Sequence, residues 1–207
     1  MHRLFLVGWL VIGSLGVPCS WAEPDEAESD GETSGLDVQF VPTPQDVVDQ
    51  MLSMAQIRKD DVLYDLGCGD GRIVVTAAKR YGIKAVGFDL DPKRVAESVA
   101  NVQSNKVEHL VTIKQADVFT VDLTPASVVT LYLLPKLNVR LRPQLEKLKP
   151  GSRILSHDFD MKGAKPVETH QMGAGSEGMD EEYSVQHTIY KWIVPWQKEV
   201  VDTAVAF

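Results

Sequence analysis

The stretch 61–82 narrows most what this chain can fold into. A short apolar run, Val62-Leu63-Tyr64, enters the turn Asp65-Leu66-Gly67-Cys68-Gly69-Asp70-Gly71, and an alanine-rich run over 73–80 leaves it and stops at Gly82. Glycines at alternate positions let the backbone turn sharply and approach a ligand without a Cβ in the way. The apolar run reads as a buried strand and the alanine-rich run as a helix with a glycine stop. The same alternation continues downstream. Strands are predicted over 84–89, 111–114, 128–133 and 153–156. Helices are predicted from Pro92 to about Asn105 and from Pro135 to about Leu148. Upstream, Val47, Val48, Met51, Leu52 and Ala55 line one face of a helix that follows Pro42-Thr43-Pro44.

Strand and helix in alternation predict a parallel sheet covered by helices on both faces. The tail differs: 166–172 and 184–194 are two strand-like runs with a Gly-rich link and no helix between them, which predicts an antiparallel pair. The expected fold is α/β, a Rossmann-like doubly wound seven-stranded sheet made of five parallel strands plus a C-terminal antiparallel hairpin.

The chain has 207 residues, enough for one domain with a full core. That domain is expected over 40–207. Ahead of it, His2 and Arg3 precede an apolar run over 4–17, Pro18 breaks the run, and Ser20 and Ala22 are the small residues of a cleavage site. Residues 1–22 therefore read as a signal peptide or an uncleaved anchor, which puts the domain in the periplasm or close to a membrane. The alternative is a true start downstream of Met1 and a cytoplasmic domain. Residues 23–39 read as an acidic linker without apolar periodicity.

The formal charge of −8 is concentrated in that linker, where 23–34 holds six acids and no base. Without residues 23–34 and Arg3, 23 acids face 20 bases. No basic stripe of the kind that neutralises phosphates is present, which disfavours nucleic acid as a partner. Cys68 is the one cysteine of the domain and has no internal disulfide partner there. No metal site is expected from the sequence, and the domain is expected to be a monomer.

Three acids fall at or just past the carboxyl ends of predicted strands, the edge where open α/β sheets bind ligands. Asp65 stands two residues before the first glycine of a G-x-G-x-G turn, not the dinucleotide G-x-G-x-x-G. A carboxylate there repels a pyrophosphate and suits a ligand that carries an amino group, while the N–H groups of the following helix suit a carboxylate. Asp89, 22 residues after Gly67, is placed to accept from ribose hydroxyls. The neighbouring Asp91 reads as a helix cap with Pro92 behind it. Asp117 is placed to accept from the exocyclic amine of adenine, with the Val118 N–H facing a ring nitrogen; a turn cap is the competing reading.

With these residues in view, the chain from about Phe40 to Lys165 resembles the seven-strand, class I S-adenosylmethionine-dependent methyltransferases. More narrowly it is similar to the protein-lysine methyltransferases whose mitochondrial members modify the c subunit of ATP synthase and the adenine nucleotide carrier, and to their bacterial relatives. The resemblance rests on Val41-Pro42-Thr43-Pro44, on the run from Tyr64 through Gly71 to Arg72, on Gly87-Phe88-Asp89-Leu90-Asp91-Pro92, and on Thr130-Leu131-Tyr132-Leu133-Leu134-Pro135. It implies that Asp65, Gly67, Gly69, Asp89 and Asp117 hold S-adenosyl-L-methionine. It also implies that Thr43 and the segment from Tyr132 to Pro135 lie near the methyl group, where a protein lysine or another amine would be the acceptor.

On this reading Tyr132 faces the acceptor and Pro135 helps to wall its slot. His157, at a strand end, is a proton acceptor or simply a hydrogen-bonded histidine. Asp158 and Asp160 attract a cationic substrate or form a solvated turn, and Trp192 and Trp196 read as packing. The alternatives are a small-molecule methyltransferase and an exported non-catalytic protein that kept the fold. A nicotinamide oxidoreductase is disfavoured by Asp65 and the glycine spacing.

Overall fold

The structure, a computed structural model, describes residues 41–173 and 186–199. The leader, the linker and the Gly-rich link of the tail lie outside the described residues. Helix α1 (Gln45–Ala55) buries the face formed by Val47, Val48, Met51, Leu52 and Ala55. Strand β1 (Val62–Leu66) leads through the glycine turn into α2 (Arg72–Tyr81), which ends on Gly82 in the left-handed conformation. Strand β2 (Lys84–Asp89) precedes α3 (Pro92–Ser104), whose N-cap Asp91 accepts from the Lys93 N–H as the sequence predicts. Strands β3 (Val111–Gln115) and β4 (Val128–Leu131), helix α4 (Pro135–Leu145) and strand β5 (Arg153–His157) complete the alternating part. The tail adds β6 (Ala164–Lys165), β7 (Glu168–Gly173), β8 (Gln186–Ile193) and β9 (Gln197–Lys198).

The main sheet has seven strands in the order β3-β2-β1-β4-β5-β8-β7. The first five are parallel; β8 runs antiparallel to β5, and β7 antiparallel to β8. The chain steps outward from β1 to β3, then crosses back to lay β4 on the other side of β1. That reversal opens a crevice beyond the carboxyl ends of β1 and β4.

Two buried clusters fill the layers. One joins α1, α2 and Val102 of α3 to the sheet; the other joins Leu141 and Leu145 of α4 to Tyr64, Phe88, Leu131, Trp192 and Trp196. Trp192 is fully buried and donates its indole N–H to the Ala164 carbonyl at 2.8 Å. It is a packing residue.

The structure corrects the sequence reading at three points. Strand β4 stops at Leu131, not Leu133, because its neighbour β1 ends at Leu66 and Pro135 holds Leu134 extended. Tyr132 therefore opens a loop. Helix α4 stops at Leu145, not near Leu148, because the bonding tightens to i→i+3 turns beyond it, the Lys147 N–H donating to the Gln144 carbonyl at 3.1 Å and the Leu148 N–H to the Leu145 carbonyl at 3.2 Å. The two-residue pair β6–β9 has no counterpart in the sequence reading; it is too short to carry a periodicity.

Candidate active site

The glycine turn is built by its neighbours. The Gly67 and Cys68 N–H groups both donate to the Phe88 carbonyl, at 2.8 and 2.9 Å, which folds the turn back onto β2. The Gly69 N–H donates to Asp89 Oδ2 at 2.9 Å, and the Gly69 carbonyl accepts from the Ser98 hydroxyl at 2.7 Å. Gly67 has φ +81°, and a Cβ there would stand 2.9 Å from Leu133 Cδ2. The turn thus lies directly on the loop that carries Tyr132 and Leu133. Gly67→Ala meets both the left-handed penalty of about 1–2 kcal/mol and that contact. Gly82 also has positive φ, +66°, but an added Cβ there meets nothing within 4 Å. Urea unfolding is therefore expected to show a larger loss for Gly67→Ala than for Gly82→Ala; equal losses would remove the contact from the account.

Asp65 lies at the floor of the crevice, 2 % exposed. One oxygen accepts from the Thr130 hydroxyl at 2.7 Å across the β1–β4 pair. Burial pushes its carboxyl up to about 7; the Thr130 bond opposes this, and the charges of Asp89 and Asp70 add to it. Among the described residues no cation reaches it to offset the burial of its charge, in contrast to Asp70, which is paired with Arg72 at 2.6 Å.

Asp89 ends β2 with one oxygen accepting from Gly69 and the other from the Asp91 N–H at 3.0 Å. Asp117 follows β3 and accepts from the Phe119 N–H at 2.9 Å, so the turn-cap reading holds for one of its oxygens. Val118 is half-buried beside it. Asp65 near the end of β1, Asp89 at the end of β2 and Asp117 just past β3 thus lie along one edge of the sheet.

The Pro42-Thr43-Pro44 segment is fastened to this edge by a residue the sequence reading does not single out. Arg72 forks onto Asp70 and donates to the Thr43 carbonyl at 2.8 Å. The Thr43 hydroxyl lies 3.2 Å from His157 Nδ1. The Tyr132 ring stands 4.0 Å from the His157 ring, centroid to centroid, and stacks on Phe159 at 5.9 Å. Thr43, Tyr132 and His157 therefore form one wall, with Leu133 buried beneath the turn, Leu134 40 % exposed and Pro135 opening α4.

His157 is fully buried, and burial pulls its imidazole down to about 4, against the opposing pull of Asp158. Burial and the adjacent Asp158 carboxylate push the Tyr132 phenol up. His157 closes β5 with the Thr43 hydroxyl within hydrogen-bond reach of its ring. The sequence reading misses His187 altogether: it is the second residue of β8, 30 residues away, and its Nδ1 lies 2.9 Å from His157 Nε2. Asp160 turns back on its own chain and accepts from the Met161 N–H at 2.6 Å.

Comparison with known proteins agrees with this geometry. The family model described as the ANTKMT methyltransferase domain matches residues 65–168. A protein-lysine N-methyltransferase of Saccharolobus islandicus is 42 % identical over 159 residues, covering 76 % of this chain and 94 % of the relative. The Rattus norvegicus lysine N-methyltransferase named for the c subunit of ATP synthase is 32 % identical over 137 residues, covering 66 % of this chain and 62 % of the relative. A crystal structure of an RNA methyltransferase from Salinibacter ruber in complex with S-adenosyl-L-homocysteine is 45 % identical. It superposes with a TM-score of 0.66 and covers 75 % of this chain and 94 % of its own. The crevice, its three acids and these matches lead to one assignment: the chain belongs to the ANTKMT methyltransferase domain family.

Proposed function

We propose that this methyltransferase takes its methyl group from S-adenosylmethionine and places it on the side-chain amine of a lysine in a protein. The observation that carries the cofactor assignment is Asp65, a carboxylate buried beside a glycine turn with one hydroxyl donor and no cation among the described residues. A bound amino-acid ammonium offsets that buried charge, and the N-terminus of α2 offers N–H groups to the accompanying carboxylate. Gly67 and Gly69 give close backbone approach, Asp89 takes the ribose hydroxyls, and Asp117 with the Val118 N–H takes the adenine edge. When bound, the cofactor supplies an electrophilic methyl on a sulfonium.

The chain's own task is then to hold the acceptor on the methyl axis and to present it as a neutral amine. Tyr132 and Pro135, with Thr43 on the same wall, line a partly apolar slot in which desolvation lowers the pKa of an entering lysine. Two relatives named as lysine methyltransferases support a protein acceptor. The Salinibacter relative is named for RNA, but the balance of 22 acids to 20 bases outside the leader and linker disfavours neutralisation of a phosphate backbone.

The test is transfer of labelled methyl from S-adenosylmethionine by the full chain, offered total protein and total RNA from its source cells. Label is expected in protein and, after hydrolysis, in methyl-lysine. Label in RNA, or only in small molecules, overturns the acceptor assignment. Tyr132→Ala is expected to lower methylation of protein roughly 10-fold or more while S-adenosylhomocysteine affinity stays within about twofold, the signature of an acceptor-side contact.

A further inference from the structure

We propose that His157, Asp158 and His187 form a binding site for one divalent transition-metal ion of the zinc class, set against the Tyr132 wall. Strand β8 runs antiparallel to β5 with His157 opposite Ile189, so His187, two residues earlier on β8, passes just beyond the end of β5. Asp158, the next residue after β5, completes the group. His157 Nε2 and His187 Nδ1 are 2.9 Å apart, and each is 3.2 Å from Asp158 Oδ2.

Hydrogen bonding alone does not account for this triangle. Each ring nitrogen carries at most one proton, directed along the ring plane, and an ionised carboxylate carries none. Three edges therefore share at most two protons, and one edge always sets lone pair against lone pair or proton against proton. An ion removes the conflict. With metal–ligand bonds of about 2.1 Å, neighbouring ligand atoms are about 3.0 Å apart in an octahedral shell and about 3.4 Å apart in a tetrahedral one. The two 3.2 Å edges fall between those limits, and the 2.9 Å edge falls just short of the lower one. An ion about 1 Å above the plane of the three atoms reaches all of them with side-chain adjustments of a few tenths of an ångström.

The surroundings are those of a metal site. Thr43 Oγ1 lies 3.2 Å from His157 Nδ1, so that nitrogen can hold the ring proton and leave the Nε2 lone pair outward. Asp158 Oδ1 accepts from the Thr188 N–H at 2.8 Å, and the Asp158 N–H donates to the Thr188 carbonyl at 2.6 Å. These bonds hold Asp158 at φ +58°, a conformation that costs a non-glycine residue energy and aims Oδ2 at the two rings. The Tyr132 ring packs on the His157 ring, and the Phe159 ring stacks on Tyr132 in turn. Two imidazoles and one carboxylate leave coordination positions open, and imidazole nitrogen selects zinc-class ions over magnesium or calcium. Bound there, the ion fixes Thr43, His157 and the Tyr132 wall as one unit, a positioning role that does not depend on the cofactor assignment.

The test uses the full chain without an affinity tag, stripped with chelator, then titrated with ZnCl2 by calorimetry and with CoCl2 by visible absorption. One ion per chain is expected, with cobalt d–d bands of a nitrogen- and oxygen-ligated site. Affinity is expected to fall about 100-fold or more in His187→Gln and in Asp158→Asn, while S-adenosylhomocysteine affinity and the circular dichroism spectrum are retained. In the unsubstituted chain, zinc is expected to shift the imidazole 15N resonances of two histidines, one through Nε2 and one through Nδ1. This last readout stands even if a variant does not fold. No saturable binding, binding indifferent to both substitutions, or unshifted imidazole resonances overturns the proposal and leaves a hydrogen-bonded cluster.

Discussion

Asp65→Asn is expected to weaken S-adenosylhomocysteine binding roughly 100-fold and, at the same time, to stabilise the ligand-free chain above pH 7. Both follow from one buried charge. A charge-assisted hydrogen bond is worth about 1.5–3 kcal/mol, and every 1.4 kcal/mol is tenfold in affinity. Without ligand, Asp65 is buried with the Thr130 hydroxyl as its donor and with Asp89 and Asp70 as like charges, and its pKa stands at about 7. The unfolded value is about 4. A carboxyl whose folded pKa is raised contributes no penalty below about pH 4. It then loses stability as pH rises, until the folded group also ionises near 7. Asparagine keeps the acceptor for Thr130 and removes the titration, though its amide N–H2 is left short of partners. The net gain is about 1–3 kcal/mol at pH 8 and disappears by pH 4. Urea unfolding at the two pH values measures it.

The same titration appears in binding. Below pH 7 a cationic ligand must displace the Asp65 proton, so affinity rises with pH and levels off above 7. Calorimetry in buffers of different ionisation heat is expected to show proton release approaching one at pH 6, little at pH 8.5, and none assigned to this site in Asp65→Asn. A variant that binds as tightly as the parent chain would remove Asp65 from the cofactor site.

The edge proposed to hold the cofactor was legible as a set of strand-end acids, because each lies at or just past the end of a strand whose limits are set locally. Val62-Leu63-Tyr64 must be buried, a glycine turn must follow, and Asp65 then falls at the carboxyl end whichever strands flank it. The same holds for Asp89 and Asp117. The second wall was not legible. Thr43 meets His157 across 114 residues and His157 meets His187 across 30. Periodicity locates a strand but does not say which strand lies beside it. The hairpin was expected, yet nothing local decides that β8, not β7, docks on β5, and that choice alone brings His187 to Asp158. Arg72 shows the same limit on a smaller scale. Nothing beside it in the sequence names its partner; only the fold brings the Thr43 carbonyl within reach of its guanidinium.

At the opposite edge of the sheet, Arg153→Met is expected to destabilise the fold by about 3–5 kcal/mol while leaving turnover per folded molecule within about twofold. Arg153 opens β5 and is 7 % exposed; its Nε donates to the Ala55 carbonyl at 3.0 Å, and its guanidinium is paired with Asp61. Asp61 also accepts from the Arg58 N–H at 2.6 Å and from the Ser127 hydroxyl at 2.7 Å, and Ser127 in turn accepts from the Val62 N–H at 3.0 Å. One ion pair thus ties the end of α1 to the amino ends of β1, β4 and β5. Burial pushes the Asp61 carboxyl up, but the bonds from Arg153, Arg58 and Ser127 and the Arg153 charge outweigh it, and the pKa is lowered. Its stabilisation is therefore full above the unfolded value of about 4 and is lost as pH falls through the folded one. In Arg153→Met the sign reverses: Asp61 is buried without a cation, and stability falls as pH rises above about 4. Adding Asp61→Asn is expected to recover part of the loss at pH 7.5 and little at pH 4, a coupling that urea unfolding of the four chains measures. A loss independent of pH, or fully additive, would show that the pair is not what Arg153 contributes. Two carboxylates thus bracket β1. Among the described residues Asp61 has a counter-charge and Asp65 has none, and that difference separates the edge that holds the sheet together from the edge proposed to take the ligand.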